Sequence, residues 1–398
     1  MRQYSERMSR VTGSAIRQIM KLMADPNIIS LGGGNPAPES FPVDKIREIT
    51  DQLLREKPVQ MLQYGITIGY EPLRQAVLEH LFRPKGIQAE LENIITFTGS
   101  TQGIYLVLDM FIDPGVPILV ESPTFLGTLN VMKKLGAKII PVEMDEDGLD
   151  VEDLERKIKQ HHPRLLYTIP TFQNPTGRTI PAERRKRIAE LAGIYDMIVL
   201  EDDPYGDVRI KGRAQPPIKH FDQAGNVILM NSFSKIIAPG MRVGAAVGAP
   251  DLIQQMEKVK QGMDTHTTSL TQAICAEFLN QGLLPDHLRF IAGIYGERLD
   301  AMLQGLEKYF PAECSFTRPE GGLFVWVRTP GIPDTTQLLE QSIHQCQVAF
   351  VPGTTFFPEE GQGLDCLRLN FSSSTPQQID TALSRLGNLV RQEWQDAR

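Results

Sequence analysis

Cysteine is scarce in this chain: four in 398 residues, Cys275, Cys314, Cys346 and Cys366, with no CxxC pair among them. That spacing offers neither a zinc site nor a disulfide framework, and the four read as reduced packing residues. No group of acids and histidines has metal-ligand spacing either. Basic excess is also missing, since 41 Lys and Arg stand against 48 Asp and Glu for a formal net charge of -7. A nucleic-acid binder needs a basic surface to displace counterions from phosphates, so nucleic acid is excluded as a partner and small molecules are favoured. Long apolar runs are lacking as well. The opening MRQYSERMSR has no apolar core of a signal peptide, and no stretch approaches the roughly 20 residues of a membrane helix. The expectation is a cytoplasmic protein with no membrane partner. Finally, no GxGxxG follows a strand candidate, and GGGNPAPES has the wrong spacing for a dinucleotide fingerprint.

What is present is alternation. From about residue 93, short apolar runs (IITF, VPILVE, AKIIPV, RLLYTIP, MIVLED, VILMNS) alternate with amphipathic stretches such as VEDLERKIKQ and AERRKRIAELAGIY. This pattern predicts an α/β fold: a large domain with a mainly parallel sheet flanked by helices. Beyond residue 290, a long helical stretch followed by GGLFVWV, VAFVPG and CLRLNFS predicts a smaller α+β domain. The expected division is 1–45, an N-terminal helix and crossing loop associated with the small domain, then 46–289 and 290–398.

In open parallel sheets ligands bind beyond the carboxyl ends of the strands. After RLLYTIP that rim carries Asn174, after MIVLE it carries Asp202 and Tyr205, and after VILM it carries Ser232 and Lys235. Gly99, Ser100 and Thr101 follow IITF and open a helix whose free N–H groups suit an anion. Between Asp222 and Asp251 the only charged side chains are Lys235 and Arg242. A lysine beside another cation and partly desolvated has a lowered pKa and becomes nucleophilic. Arg242 would then hold a phosphate, while Lys235 would form a Schiff base with an aldehyde.

Taken singly, these residues have plainer readings. Asp202 with Tyr205 can close a strand as an Asx turn, Asn174 before proline is an ordinary turn former, and Ser100 with Thr101 can be a plain N-cap. Phe125 can be core, Gly34 can meet a backbone need, Tyr64 can pack within its own subunit and Arg17 can be solvated. Their joint order is what decides.

That order resembles the fold type I aminotransferases of class I/II, which use pyridoxal 5'-phosphate, from about Ser14 to Ser372. SFSKIIAPGMRVG resembles the family's lysine motif, with Lys235 as the cofactor lysine and proton-transfer base, and Ser232 and Arg242 on the phosphate with Ser100 and Thr101. DDPY resembles its Asp-x-x-Tyr pattern, which implies Asp202 on the pyridinium nitrogen and Tyr205 on the ring phenolate. NPTG places Asn174 beside that phenolate and next to substrate. Phe125 in SPTFLGT falls where a ring stacks on the cofactor. LRLNFS implies Arg368 on the substrate α-carboxylate, with the Gly34 backbone beside it, and LQYG implies that Tyr64 reaches the neighbouring subunit's phosphate in a homodimer with shared sites. SAIRQIMKL, GGxPxPExFP and FQNPTG are similar to the 2-aminoadipate and kynurenine aminotransferase subgroup, where the residues matching Ser14 and Arg17 meet the substrate's distal carboxylate. The resemblance implies ping-pong transfer of an amino group from a 2-aminoadipate-like, aromatic or leucine-like L-amino acid to a 2-oxo acid such as 2-oxoglutarate. A β-lyase, a decarboxylase or a non-catalytic regulator on the same fold are the alternatives.

Overall fold

The computed structural model describes residues 4–10, 25 and 27–396. Seven strands form the main sheet: β1 (Ile94–Phe97), β2 (Pro117–Glu121), β3 (Lys138–Val142), β4 (Leu165–Thr168), β5 (Ile198–Asp203), β6 (Val227–Ser232) and β7 (Gly244–Val247). Their order across the sheet is β1-β7-β6-β5-β4-β2-β3. The pairs from β3 to β6 are parallel, and β7 alone runs against both of its neighbours.

These strands are apolar without alternation because both of their faces are covered, as expected of parallel strands carried in strand–helix units. Along β2, Ile118 and Val120 join one core while Leu119 joins the other. Leu165 and Tyr167 of β4 likewise lie on the opposite face from Leu166. The helices that cover the sheet include α1 (Ser100–Phe111), α2 (Leu126–Leu135), α3 (Val151–His161) and α4 (Ala182–Ile194). In α3, Asp150 caps the first turn by accepting from the Glu152 and Asp153 N–H groups.

A second, four-stranded sheet is antiparallel. Its inner strands are β8 (Phe324–Arg328) and β9 (Cys366–Asn370), flanked by Ser315–Phe316 and Val351–Pro352. Helices α5 (Leu284–Tyr309) and α6 (Pro376–Asp396) pack together beside it. Two glycines permit that approach: a Cβ on Gly305 would crowd Leu383, and one on Gly387 would meet the Tyr309 backbone. The chain before the main sheet is tied to this second sheet. Ile29–Ser30 pairs in parallel with Val348–Ala349, and Asn370 N–H donates to the Leu31 carbonyl at 2.7 Å.

Because β1, β2, β4, β5 and β6 run in one direction, their carboxyl ends share one edge. The reversed β7 begins on that edge, its Gly244 registered with both Ser232 and Phe97, so Arg242 arrives there too. Among the described residues no helix is long and apolar enough to cross a membrane, and none of the His, Cys, Asp and Glu side chains cluster to hold a metal.

Candidate active site

The strand ends and the N-terminal loop meet at one bonded network. Arg368, on β9, is 5% exposed and lies against two rings, its guanidinium carbon 4.1 Å from the centre of Phe324 and 4.9 Å from that of Phe356. Its Nη1 donates to Asn174 Oδ1 at 2.8 Å and its Nη2 to the Gly32 carbonyl at 2.7 Å, while Nε has no partner among the described residues. Burial pulls this guanidinium down to about 10, partly offset by Tyr205. A cation held this dry, with a donor left over, is prepared for a carboxylate.

Asn174 also donates through Nδ2 to the Tyr205 hydroxyl at 3.4 Å. Tyr205 packs edge-on against Phe324, with centroids 5.7 Å apart, and burial pushes its phenol up to about 12. The Lys235 amine donates to the Gly34 carbonyl at 2.7 Å. Desolvation first, then Arg368 and Arg242, lower its pKa to about 8. A pKa lowered this far is what a nucleophilic amine requires. Gly34 sits where a Cβ would press on the Phe324 ring at 3.3 Å.

Asp202 and Asp203 are adjacent, and strand alternation separates them. Asp203 turns toward Lys85, 3.5 Å away, and accepts from Gly206 N–H at 2.8 Å. Asp202 is 3% exposed; its Oδ2 accepts from the Tyr167 hydroxyl at 2.9 Å, and its buried Oδ1 has no partner among the described residues. Burial pushes this carboxyl up to about 7, opposed by the Tyr167 bond and reinforced by Asp203. An orphaned, buried acceptor asks for a protonated nitrogen.

At the far end of the rim, Gly99 takes a left-handed φ of 74° just before α1, and a Cβ there would collide with the Arg242 guanidinium. Arg242 itself sits at φ 51° and is exposed. The N–H groups of the first turn at Ser100 and Thr101 therefore lie beside a cation, an arrangement suited to a phosphate. Ser232 accepts from Ser234 N–H at 3.3 Å, close to the same rim. Arg242 and Thr101 share a cavity of about 670 Å³ with Tyr105, Asp264 and His266. Half-buried Phe125 follows Thr124, whose N–H donates to the Phe356 carbonyl at 2.9 Å.

Tyr64 stands apart from this network. It is 82% exposed, meets His266 edge-on with centroids 5.8 Å apart, and borders a groove of about 830 Å³ beside exposed Val59 and Ile66. Ser14 and Arg17 lie outside the described residues.

Four contributors escaped the sequence reading. Glu121, at the end of β2, is fully buried and accepts from the Thr168 hydroxyl at 2.5 Å, from Ile169 N–H and from Gln173 Nε2 at 3.1 Å. It thus anchors the loop that carries Asn174, and burial pushes its carboxyl up to about 7. Tyr167, Phe324 and Phe356 are the others. An acid closing the apolar run ILVE and a tyrosine inside LLYT were visible signals, while the stacking on Arg368 was not.

A family model described as aminotransferase class I and II matches residues 26–386. Aromatic-amino-acid aminotransferase 1 of Thermococcus litoralis is 39% identical over 395 residues, 98% of this chain and 94% of that protein. The 2-aminoadipate transaminase of Thermus thermophilus is 38% identical over 386 residues, 96% of this chain and 95% of that protein. Among solved structures, Pyrococcus horikoshii kynurenine aminotransferase, in complex with PMP and with kynurenine as substrate, superposes with a TM-score of 0.94. It is 37% identical, with 98% of this chain and 97% of that one covered.

Proposed function

The chain belongs to the class I and II aminotransferases and uses pyridoxal 5'-phosphate, and on that premise we propose that it moves the amino group of an aromatic, leucine-like or 2-aminoadipate-like L-amino acid to 2-oxoglutarate. The rim fits the cofactor on its own terms. Asp202 offers a buried, orphaned oxygen for a ring N–H, Lys235 offers an amine, and the first turn of α1 with Arg242 offers an anion cradle. Phe125 would supply a ring to stack on the heterocycle, Tyr205 and Asn174 would donate to its ring oxygen, and Ser100, Thr101, Ser232 and Arg242 would hold its phosphate. When bound, the cofactor supplies an aldehyde that takes up the amino group and a protonated ring that accepts the electron pair left at Cα.

The chain's own residues then divide the work. Arg368 fixes the substrate α-carboxylate, with the Gly34 backbone beside it. Fixing the carboxylate turns the Cα–H bond toward the Lys235 amine. With a pKa near 8, that amine is partly neutral at physiological pH and takes up and returns the Cα proton. Asp202 Oδ1 holds the proton on the ring nitrogen. Keeping that nitrogen protonated two pH units beyond its natural tendency needs roughly 2.7 kcal/mol, which a buried carboxylate can supply.

The observation that carries this reading is a pair of hydrogen-bonded runs that meet on the Gly32–Gly34 loop, one from Lys235 to Gly34 and one from Gly32 through Arg368 and Asn174 to Tyr205. For the side-chain end of the substrate, support comes from the apolar cluster of Trp326, Val351, Phe356 and Leu126 beside Arg368. The 2-aminoadipate and aromatic relatives point the same way. Ser14 and Arg17 would receive a distal carboxylate. Exposed Tyr64, on its apolar ledge, would complete the phosphate site of a second copy in a cytoplasmic homodimer. The division into 1–45, 46–289 and 290–398 belongs to the same proposal.

The test is direct. Purified protein mixed with pyridoxal phosphate should turn yellow, borohydride should fix the label on Lys235, and 2-oxoglutarate with a suitable donor should yield glutamate. A donor screen repeated on Arg17→Ala should lower kcat/KM for acidic donors relative to apolar ones. Unmodified Lys235 sinks the mechanism, whereas an unchanged donor ranking sinks only the role of Arg17.

A further inference from the structure

Tyr167 is the one polar-tipped ring inside the apolar strand β4, and it is fully buried. A buried phenol needs a hydrogen-bond partner. The β4–β5 register sets Tyr167 against Leu200, so Asp202 lies two residues further along on the same face. At that diagonal a tyrosine reaches the carboxyl and a serine or threonine would not. The hydroxyl donates to Oδ2 at 2.9 Å, and Oδ1 is left bare.

Taking Asp202 as the partner of the ring nitrogen, as proposed above, we infer that Tyr167 is a positioning residue for the cofactor: it occupies Oδ2, fixes the rotation of the carboxyl, and leaves Oδ1 as the single acceptor for the ring N–H. Without this donor, Asp202 is a desolvated acid with Asp203 next to it and Glu121 nearby, and the one hydrogen bond its carboxyl receives among the described residues is gone. The carboxyl would then be free to rotate or to hold a proton on either oxygen, and any state that puts an O–H on the oxygen facing the ring N–H sets donor against donor. Tyr167 cannot itself become an acceptor by ionising, because burial and the Asp202 charge hold its phenol well above 10. Its bond is thus a fixed donation.

The experiment compares the affinity of the apoprotein for pyridoxal phosphate with its affinity for the analogue in which the ring nitrogen is replaced by CH, both titrated by absorbance. Tyr167→Phe should weaken pyridoxal phosphate about tenfold and leave the analogue within about twofold of wild type, since one charge-assisted hydrogen bond is removed. Equal weakening of both ligands, or of neither, means that Tyr167 merely fills space, and the inference falls. Asp202→Ala separates the two ideas: it should abolish the preference for pyridoxal phosphate over the analogue. If that preference survives in Asp202→Ala, the role assigned to Asp202 is what fails. Should Tyr167→Phe not fold, 3-fluorotyrosine at position 167, a stronger donor of nearly the same size, should raise the preference. An unchanged or lower preference overturns the inference.

Discussion

The Arg368 guanidinium donates to the Asn174 side-chain oxygen at 2.8 Å, joining residues 194 positions apart in the chain. One asparagine thereby holds the buried Arg368 guanidinium through its oxygen and Tyr205 through its nitrogen. Arg368 and Tyr205 are aligned by a single amide.

Arg368→Lys should therefore do more than weaken binding. A lysine lacks the planar fork that lets Arg368 contact Phe324 and Phe356 while bonding Gly32 and Asn174 and keeping a donor for a carboxylate. We expect kcat/KM for amino acids to fall by about 100-fold, chiefly through KM, as expected for losing a bidentate charged contact. Simple amines without a carboxylate should lose far less, and steady-state kinetics on both donor types decides it.

The Lys235 amine gives the cofactor-free protein a signature in pH. Its folded pKa, about 8, lies below the unfolded value of a lysine, so the charged form is disfavoured in the fold. That penalty is fully present below pH 8 and vanishes as pH rises through the unfolded pKa. Stability thus climbs with pH across that window. Lys235→Met should remove the slope and stabilise the cofactor-free chain at pH 7 by on the order of 2 kcal/mol. Urea midpoints at pH 7 and pH 10 would show it, and equal shifts at both values would refute it.

Glu121 carries the opposite sign. Its folded pKa, about 7, lies above the unfolded value, so the penalty is absent in acid and fully present above pH 7. Asp202 and Glu201, also pushed up to about 7, act in the same direction. Glu121→Gln places an amide N–H among the donors of Thr168, Ile169 and Gln173, and should cost about 1–2 kcal/mol at pH 5. The gap should narrow by pH 8, where wild type pays for its buried charge. Denaturant titrations of the cofactor-free proteins at both pH values test this.

Mixing subunits tests the proposed sharing of sites between two copies of the chain. On that proposal Tyr64→Phe and Lys235→Ala would each damage a different half of one site, and a mixed dimer would pair an intact lysine with an intact tyrosine. Co-expressed variants should recover up to about a quarter of wild-type activity, the statistical share of repaired sites in a two-fold dimer. Activity no higher than that of the parent variants would show that Tyr64 serves no neighbouring subunit.

The sequence by itself determined the local facts. Apolar runs without alternation specified buried parallel strands, because a strand covered on both faces has no polar side to display. The polar residues directly following those runs were bound to stand at one rim, and Lys235, isolated from acids in sequence, was legible as a cation under strain. Chain adjacency could not tell which of Asp202 and Asp203 faces that rim; strand alternation and the Lys85 contact decide it. Nor could it foresee Arg368 between Phe324 and Phe356, Tyr167 on Asp202 or Glu121 beneath the Asn174 loop. Those relationships are set by strand order and register, which bring distant segments within a few ångströms. Desolvation and pairing, the forces that tune each charge, are therefore properties of the tertiary structure.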